Sequence, residues 1–268
     1  MNGAATPALA AAGLLQVRDL RRSFAGVHAV DGLDLDVAQG SVTGLIGPNG
    51  CGKTTSVNCI TGFDRSFTGH VGMAEKPLAG LAPETIARGG LMRTFQAIRV
   101  FDSFTVLENV KLSMQSFDGT TAWHALARTR QFRRTEQATE AKAHDLLELV
   151  GLAPKSHDLA GELSYGQKKL LSLAGILMSS PRLVILDEPV AGVNPTRAME
   201  IADIIKAVNE RGTTFLIIEH NIPFVMRLCD SVVVMDRGKR LIQGTPEQIR
   251  NDPAVLEAYL GGAANVGD

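Results

Sequence analysis

The stretch GPNGCGKTT, residues 47–55, decides the fold. Its glycines, Gly47, Gly50 and Gly52, let the chain turn tightly and aim backbone N–H groups inward. SVTGLI (41–46) before it reads as a strand that ends wholly apolar, which suggests a buried position. TTSVNCITG after it reads as a helix closed by Gly62. A buried strand, a Gly-rich turn and a helix N-terminus in that order form a cradle for phosphate, because the amides converge on its oxygens and the helix end adds positive potential. In the Gly-x-x-x-x-Gly-Lys-Thr spacing, Gly47, Gly52, Lys53 and Thr54 take the fixed positions. Lys53 can then reach β- and γ-phosphates, and the Thr54 hydroxyl can ligate Mg²⁺. Pro48, Asn49, Gly50, Cys51 and Thr55 complete the expected binding loop. Cys51 reads as a small residue accepted in a tight turn, not as a redox switch.

Downstream, LVILDEP (183–189) is an apolar strand that ends in two carboxylates. Asp187 at the tip suits an acid that holds Mg²⁺ through water, and Glu188 beside it can polarise an attacking water. The two motifs together imply a Mg²⁺-dependent nucleoside triphosphatase. A GTPase would also need an N-K-x-D-like element to read the base, and the sequence carries none.

Working outward, Leu33, Leu35 and Val37 alternate with Asp34 and Asp36 as in a half-buried strand. TFLIIE (214–219) and SVVVM (231–235) are further short β-branched runs. Ala198, Ile201, Ala202, Ile204, Ile205 and Val208, spaced three and four apart, mark a helix between strands. Strands that alternate with helices predict an α/β fold with a mainly parallel sheet. From about 105 to 178 only helical signals occur, Ala143, Leu146, Leu147 and Val150 among them, so a helical insertion is expected there. The run Arg128, Arg130, Arg133, Arg134, then Glu136, Glu140, Asp145 and Glu148, reads as a solvated helix face.

The 268 residues carry 27 basic and 28 acidic side chains, a net charge of −1, which argues against nucleic acid or anionic lipid as a general partner. Three cysteines without metal-ligand spacing suit a reducing compartment. The longest apolar run, LLSLAGILM (170–178), is about half of the ~20 residues a bilayer-spanning helix needs. The Ala-rich start has no basic region and reads as a frayed tail rather than a signal peptide. These features predict a cytoplasmic protein.

Further motifs narrow the class. LSYGQKK (163–169) resembles the LSGGQ signature of ABC-type ATPases, with Tyr165 in place of the first Gly. Phe95-Gln96 after LMRT resembles the Q-loop, Ile218-Glu219-His220 resembles the switch-histidine segment, and Phe24, 23 positions before Gly47, stands where the family places an adenine-stacking aromatic. The resemblance implies a P-loop NTPase fold of the ABC type: a mainly parallel sheet, an N-terminal antiparallel β part, and a helical subdomain at about 97–180 within one domain over 14–261, with tails at 1–13 and 262–268. It implies ATP and Mg²⁺ as cofactors, and a head-to-tail dimer in which Ser164, Tyr165, Gly166 and Gln167 close on the nucleotide of the partner subunit. Lys53, Glu188 and His220 are then the catalytic set, and Thr54, Gln96 and Asp187 the metal-facing one.

RTFQAIRVFDSFTVLENV (93–110), AGVNP (191–195), IIEHN (217–221) and GTPEQIRNDPAVLEAYLG (244–261) resemble one branch, the ATPase subunits of bacterial importers for branched-chain amino acids. AGVN stands where the common form is S-A-L-D. The resemblance implies a second ATPase subunit, membrane permeases and a substrate-binding protein as partners, with this chain like the longer ATPase. Ile98, Val100, Phe101, Phe104 and Val106 would lie where a permease helix docks. Motors for urea, short amides or aromatic acids are closely similar. Soluble ABC ATPases of DNA repair fit less well, since only 110 positions separate Thr54 from Ser164.

Overall fold

Alternation shapes the first two strands. Leu15, Val17 and Leu20 of β1 (Gly13–Phe24) are buried, and Leu33, Leu35 and Val37 of β2 (Val27–Ala38) face the same core, while the intervening aspartates stay at the surface. The computed structural model describes residues 13–94, 100–114 and 130–261. These form two compact units, one from residues 1–86, 214–216 and 229–268, the other from 87–213 and 217–228.

In the first unit, β1, β2, β4 (Thr68–Met73) and β5 (Lys76–Pro77) form an antiparallel sheet in the order β2-β1-β4-β5. A second set of strands runs β10 (Lys239–Gly244), β9 (Ser231–Asp236), β3 (Val42–Ile46), β8 (Thr214–Ile218). β3 and β9 pair in parallel, with Leu45 opposite Val233. Every residue of β3 is buried, which fits a strand covered on both faces. Helix α1 (Lys53–Ile60) follows the loop at its end, and α2 (Pro83–Arg88) begins in this unit.

The second unit holds β6 (Leu91–Arg93), α3 (Val106–Leu112), α4 (Arg130–Leu149), α5 (Tyr165–Leu177), β7 (Leu183–Asp187), α6 (Pro195–Glu210), the end of β8 and α7 (Ile222–Leu228). Its strand order is β8-β7-β6, with β6 and β7 parallel. Thr105 caps α3 in a capping box with Glu108, and Asn194 caps α6 ahead of Pro195, so the AGVNP run is a loop followed by a helix start. Helices α8 (Pro246–Arg250) and α9 (Pro253–Gly261) close the first unit.

The helical stretch through 105–178 is as expected among the described residues. Glu136, Asp145 and Glu148 are exposed on α4, and Glu140 pairs with Lys111. β10 is a strand that no sequence pattern announces, since its half-exposed KRLIQG lacks clean alternation. The TFLIIE strand stops at Ile218, because the Glu219 carboxylate turns back onto main-chain N–H groups. Of the expected tail at 1–13, Gly13 begins β1; residues 1–12, the expected tail at 262–268, Gln96, Ile98 and Arg128 lie outside the described residues.

Candidate nucleotide site

At two positions the loop of the first unit is held so closely that no side chain fits. A Cβ on Gly47 would collide with the Met235 carbonyl oxygen and with Cys51 Sγ, and one on Gly52 (φ 103°) with the Ala29 carbonyl oxygen. Gly238 N–H donates to Cys51 O at 3.0 Å, which ties the loop to the β9–β10 turn. Lys53 Nζ donates to Gly47 O (2.8 Å) and Pro48 O (3.0 Å). Asn49, Gly50 and Thr54 are exposed, Thr55 and Pro48 half-buried, and Cys51 is buried. Burial pushes the Cys51 thiol above its usual range despite the neighbouring Lys53, which fits an inert packing residue. Phe24 is 46% exposed, and the Arg22 guanidinium lies 4.0 Å from its ring centroid, itself held by Asp64 at 2.6 Å.

Tyr259 of α9 belongs to the same surroundings. Its hydroxyl is buried, and burial with nearby Cys51 pushes it up to about 12, against a small opposing pull from the Gly47 main chain. This ring places the C-terminal helix α9 beside the loop.

In the second unit the tip of β7 carries the expected acids. Asp187 is buried, and its Oδ2 accepts from Arg93 Nη2 at 2.7 Å. Glu188 takes a left-handed backbone (φ 51°), rare for a residue with a side chain, and its N–H donates to Ile218 O at 2.9 Å. That conformation turns its carboxylate to one-third exposure, with Oε1 4.0 Å from His220 Nδ1. Lys169 Nζ donates to Glu188 O and Ala191 O, both at 2.8 Å, and fixes the turn. Burial lowers the Lys169 pKa, partly offset by Glu219 and Glu188. Glu219 is fully enclosed and accepts from Val190 N–H (3.0 Å), His220 N–H (3.1 Å) and Asn221 N–H (3.1 Å). One carboxylate thus sets both the loop after Glu188 and the backbone of His220.

Ser164 is the N-cap of α5: its hydroxyl accepts from Gln167 N–H, and Gln167 Oε1 accepts from Ser164 N–H at 2.9 Å. Tyr165 is half exposed and Gly166 buried. Four residues with evident roles, Arg93, Thr94, Lys169 and Glu219, escaped the sequence reading. All lie beside or inside quoted motifs; for Arg93 and Glu219 the available signal was a charge at the end of or just past an apolar strand, and for Lys169 a charge in an otherwise apolar helix.

A family model described as ABC transporter matches residues 30–191, and a second, described as Branched-chain amino acid ATP-binding cassette transporter, matches 243–265. The chain belongs to the ABC transporter family. It is 39% identical to the high-affinity branched-chain amino acid transport ATP-binding protein LivG of Salmonella typhimurium, across 93% of this chain and 98% of that protein. It is 40% identical to the counterpart BraF of Pseudomonas aeruginosa, with the same coverage. Among solved structures, the ADP conformation of MJ1267, an ATP-binding cassette of an ABC transporter, superposes with a TM-score of 0.80 at 33% identity, over 93% of this chain and 99% of that one. The P-loop NTPase fold expected from residues 47–55 is therefore that of an ABC ATPase domain. No helix among the described residues is long and apolar enough to cross a membrane.

Proposed function

We propose that this chain is the ATP-hydrolysing subunit of an importer for branched-chain amino acids. The observation that carries the cargo is the match at 243–265, independent of the ATPase motifs, to a model named for that transport class. The identity to LivG and BraF over nearly the whole chain supports the same reading.

The catalytic roles follow from the residues. The ring of Phe24 stacks adenine, backed on one side by the Arg22 guanidinium. The loop 47–55 cradles the phosphates, and Lys53 exchanges its two carbonyl partners for phosphate oxygens. The resemblance assigns Mg²⁺ to Thr54, Gln96 and Asp187; Thr54 offers an exposed hydroxyl and Asp187 a carboxylate, donors of the kind Mg²⁺ takes, so these residues would hold it and it would neutralise charge on the phosphates. Glu188 takes the proton of the attacking water as the water oxygen bonds to the γ-phosphorus. The bond from phosphorus to the β–γ bridging oxygen breaks, and ADP leaves with the electron pair. His220, beside Glu188, contacts the γ-phosphate. Ser164, Tyr165, Gly166 and Gln167 face the nucleotide of a partner subunit across a head-to-tail dimer, where the N-terminus of α5 favours phosphate.

The partners are a second ATPase subunit, membrane permeases and, through them, a substrate-binding protein, which places the chain on the cytoplasmic face of the membrane. Phe101 and Phe104, 60% and 40% exposed with ring centroids 5.5 Å apart, support a docking surface for a permease helix, whereas Val106 is fully buried core. Uptake of labelled leucine, urea and an aromatic acid in a deletion strain, complemented with the wild type or Glu188→Gln, tests the reading. Loss of leucine uptake alone in the variant is expected. Loss of urea or aromatic-acid uptake instead would replace the cargo, and unchanged uptake of all three would refute the transport role.

A further inference from the structure

Arg93 is a charged residue in a strand otherwise built for burial. It ends β6, opposite Ile185 of the neighbouring β7, so its side chain and that of Asp187 meet at the same end of the sheet. The Nη2–Oδ2 distance is 2.7 Å, with the side chains only 8% and 3% exposed. Thr94 fastens the same strand end through the backbone: its N–H donates to Ile185 O at 2.9 Å, and its hydroxyl accepts from Asp187 N–H at 3.1 Å. The guanidinium cannot shed its charge, and an enclosed carboxylate without a cation is strongly disfavoured. Two full cationic partners on one small carboxylate repel each other in so dry a place.

We propose that Arg93 is a positioning residue that holds Asp187 whenever divalent metal is absent and competes with that metal for the carboxylate. Arg93 thereby sets the Mg²⁺ concentration at which the nucleotide site fills. This rests on the reading of Asp187 as metal-facing.

The test is binding of a fluorescent ATP analogue to the purified chain, titrated with Mg²⁺, alongside melting of the metal- and nucleotide-free protein. Arg93→Met removes the competitor and keeps an apolar stem. Its Mg²⁺ midpoint falls about tenfold, the factor that a hydrogen bond to a charged group is worth, while the metal-free protein melts lower. Arg93→Lys keeps the charge but loses the planar fork, so its midpoint falls by a smaller factor; it carries the test if the Met variant does not fold. Asp187→Asn abolishes the Mg²⁺ dependence. A lower melting point with an unmoved midpoint in both Arg93 variants would make Arg93 structural only and overturn the proposal. An intact Mg²⁺ dependence in Asp187→Asn would instead overturn the role of Asp187 and the proposal with it.

Discussion

Glu219→Gln is a nearly isosteric change with a large expected effect. The carboxylate of Glu219 offers two oxygens to three main-chain N–H groups, and it has no access to water. Glutamine has one oxygen. If that oxygen stays with His220 and Asn221, the amide NH₂ faces the Val190 N–H, which leaves a buried donor unpaired at a cost of about 1–3 kcal/mol. The two surviving bonds lose their charge assistance, about half their strength. The easier burial of a neutral amide offsets part of this, so the net loss is roughly 2–4 kcal/mol. For a chain of this size that lowers Tm by about 5–12 °C. Scanning calorimetry of the nucleotide-free protein measures it. The same substitution shifts the backbone of His220 and the loop after Glu188, so kcat falls as well. A Tm within about 2 °C of the wild type would refute the idea that this carboxylate organises the turn.

Three further outcomes are expected. Glu188→Gln slows phosphate release about 10²–10⁴-fold, the range for loss of a general base, with ATP binding kept; turnover within threefold of the wild type would exclude the assigned role. Gly47→Ala forces a methyl group against the Met235 carbonyl, so binding of the fluorescent nucleotide is lost even if the sheet still forms; ordinary affinity would contradict the cradle geometry. Burial raises the Cys229 thiol from 9.0 to about 12, so the folded state holds its proton while the unfolded chain ionises. That contribution is complete below pH 9 and drains away as pH rises towards 12, about 2–3 kcal/mol by pH 11. Cys229→Ala therefore flattens the alkaline fall in Tm, and a parallel curve would argue against it.

What the sequence made legible was local. Residues 47–55 needed glycine at Gly47 and Gly52 because neighbouring carbonyls leave no space, and a Gly-rich turn between strand and helix is visible in one dimension. Strands β7 and β9 were legible because buried strands read as continuous apolar runs. The helix cap at Asn194-Pro195 is likewise written in consecutive letters, inside the AGVNP run that departs from the common form. Contacts set by sheet pairing were not legible. Arg93 and Asp187 are 94 positions apart and meet only because β6 pairs with β7 in one register. Glu219 and Val190 are 29 apart, and nothing in either segment names the other. β10 escaped because none of its residues is fully buried, so neither face of this edge strand imposes an apolar rhythm.

The departure at Tyr165 becomes intelligible in the same terms. Where the family signature has glycine, a tyrosine ring needs a floor, and the loop after Glu188 supplies one: a Cβ on Gly192 would stand 3.4 Å from Tyr165 Cε1. Gly192 also has φ +73°, so a side chain there would be strained even without the ring. Lys169 Nζ lies 5.2 Å from the same ring's centroid while it donates to Glu188 O and Ala191 O. The two departures from the common pattern, Tyr165 in the signature and AGVN after the acids, are thus one packing arrangement. Gly192→Ala should therefore disturb Tyr165 and, through Lys169, the turn that carries Glu188, and Tyr165→Gly should relieve part of the loss. Hydrolysis rates of the two single variants and the double variant form the cycle that measures it. Additive effects would mean that the ring and the loop are independent, and the arrangement would then be coincidence.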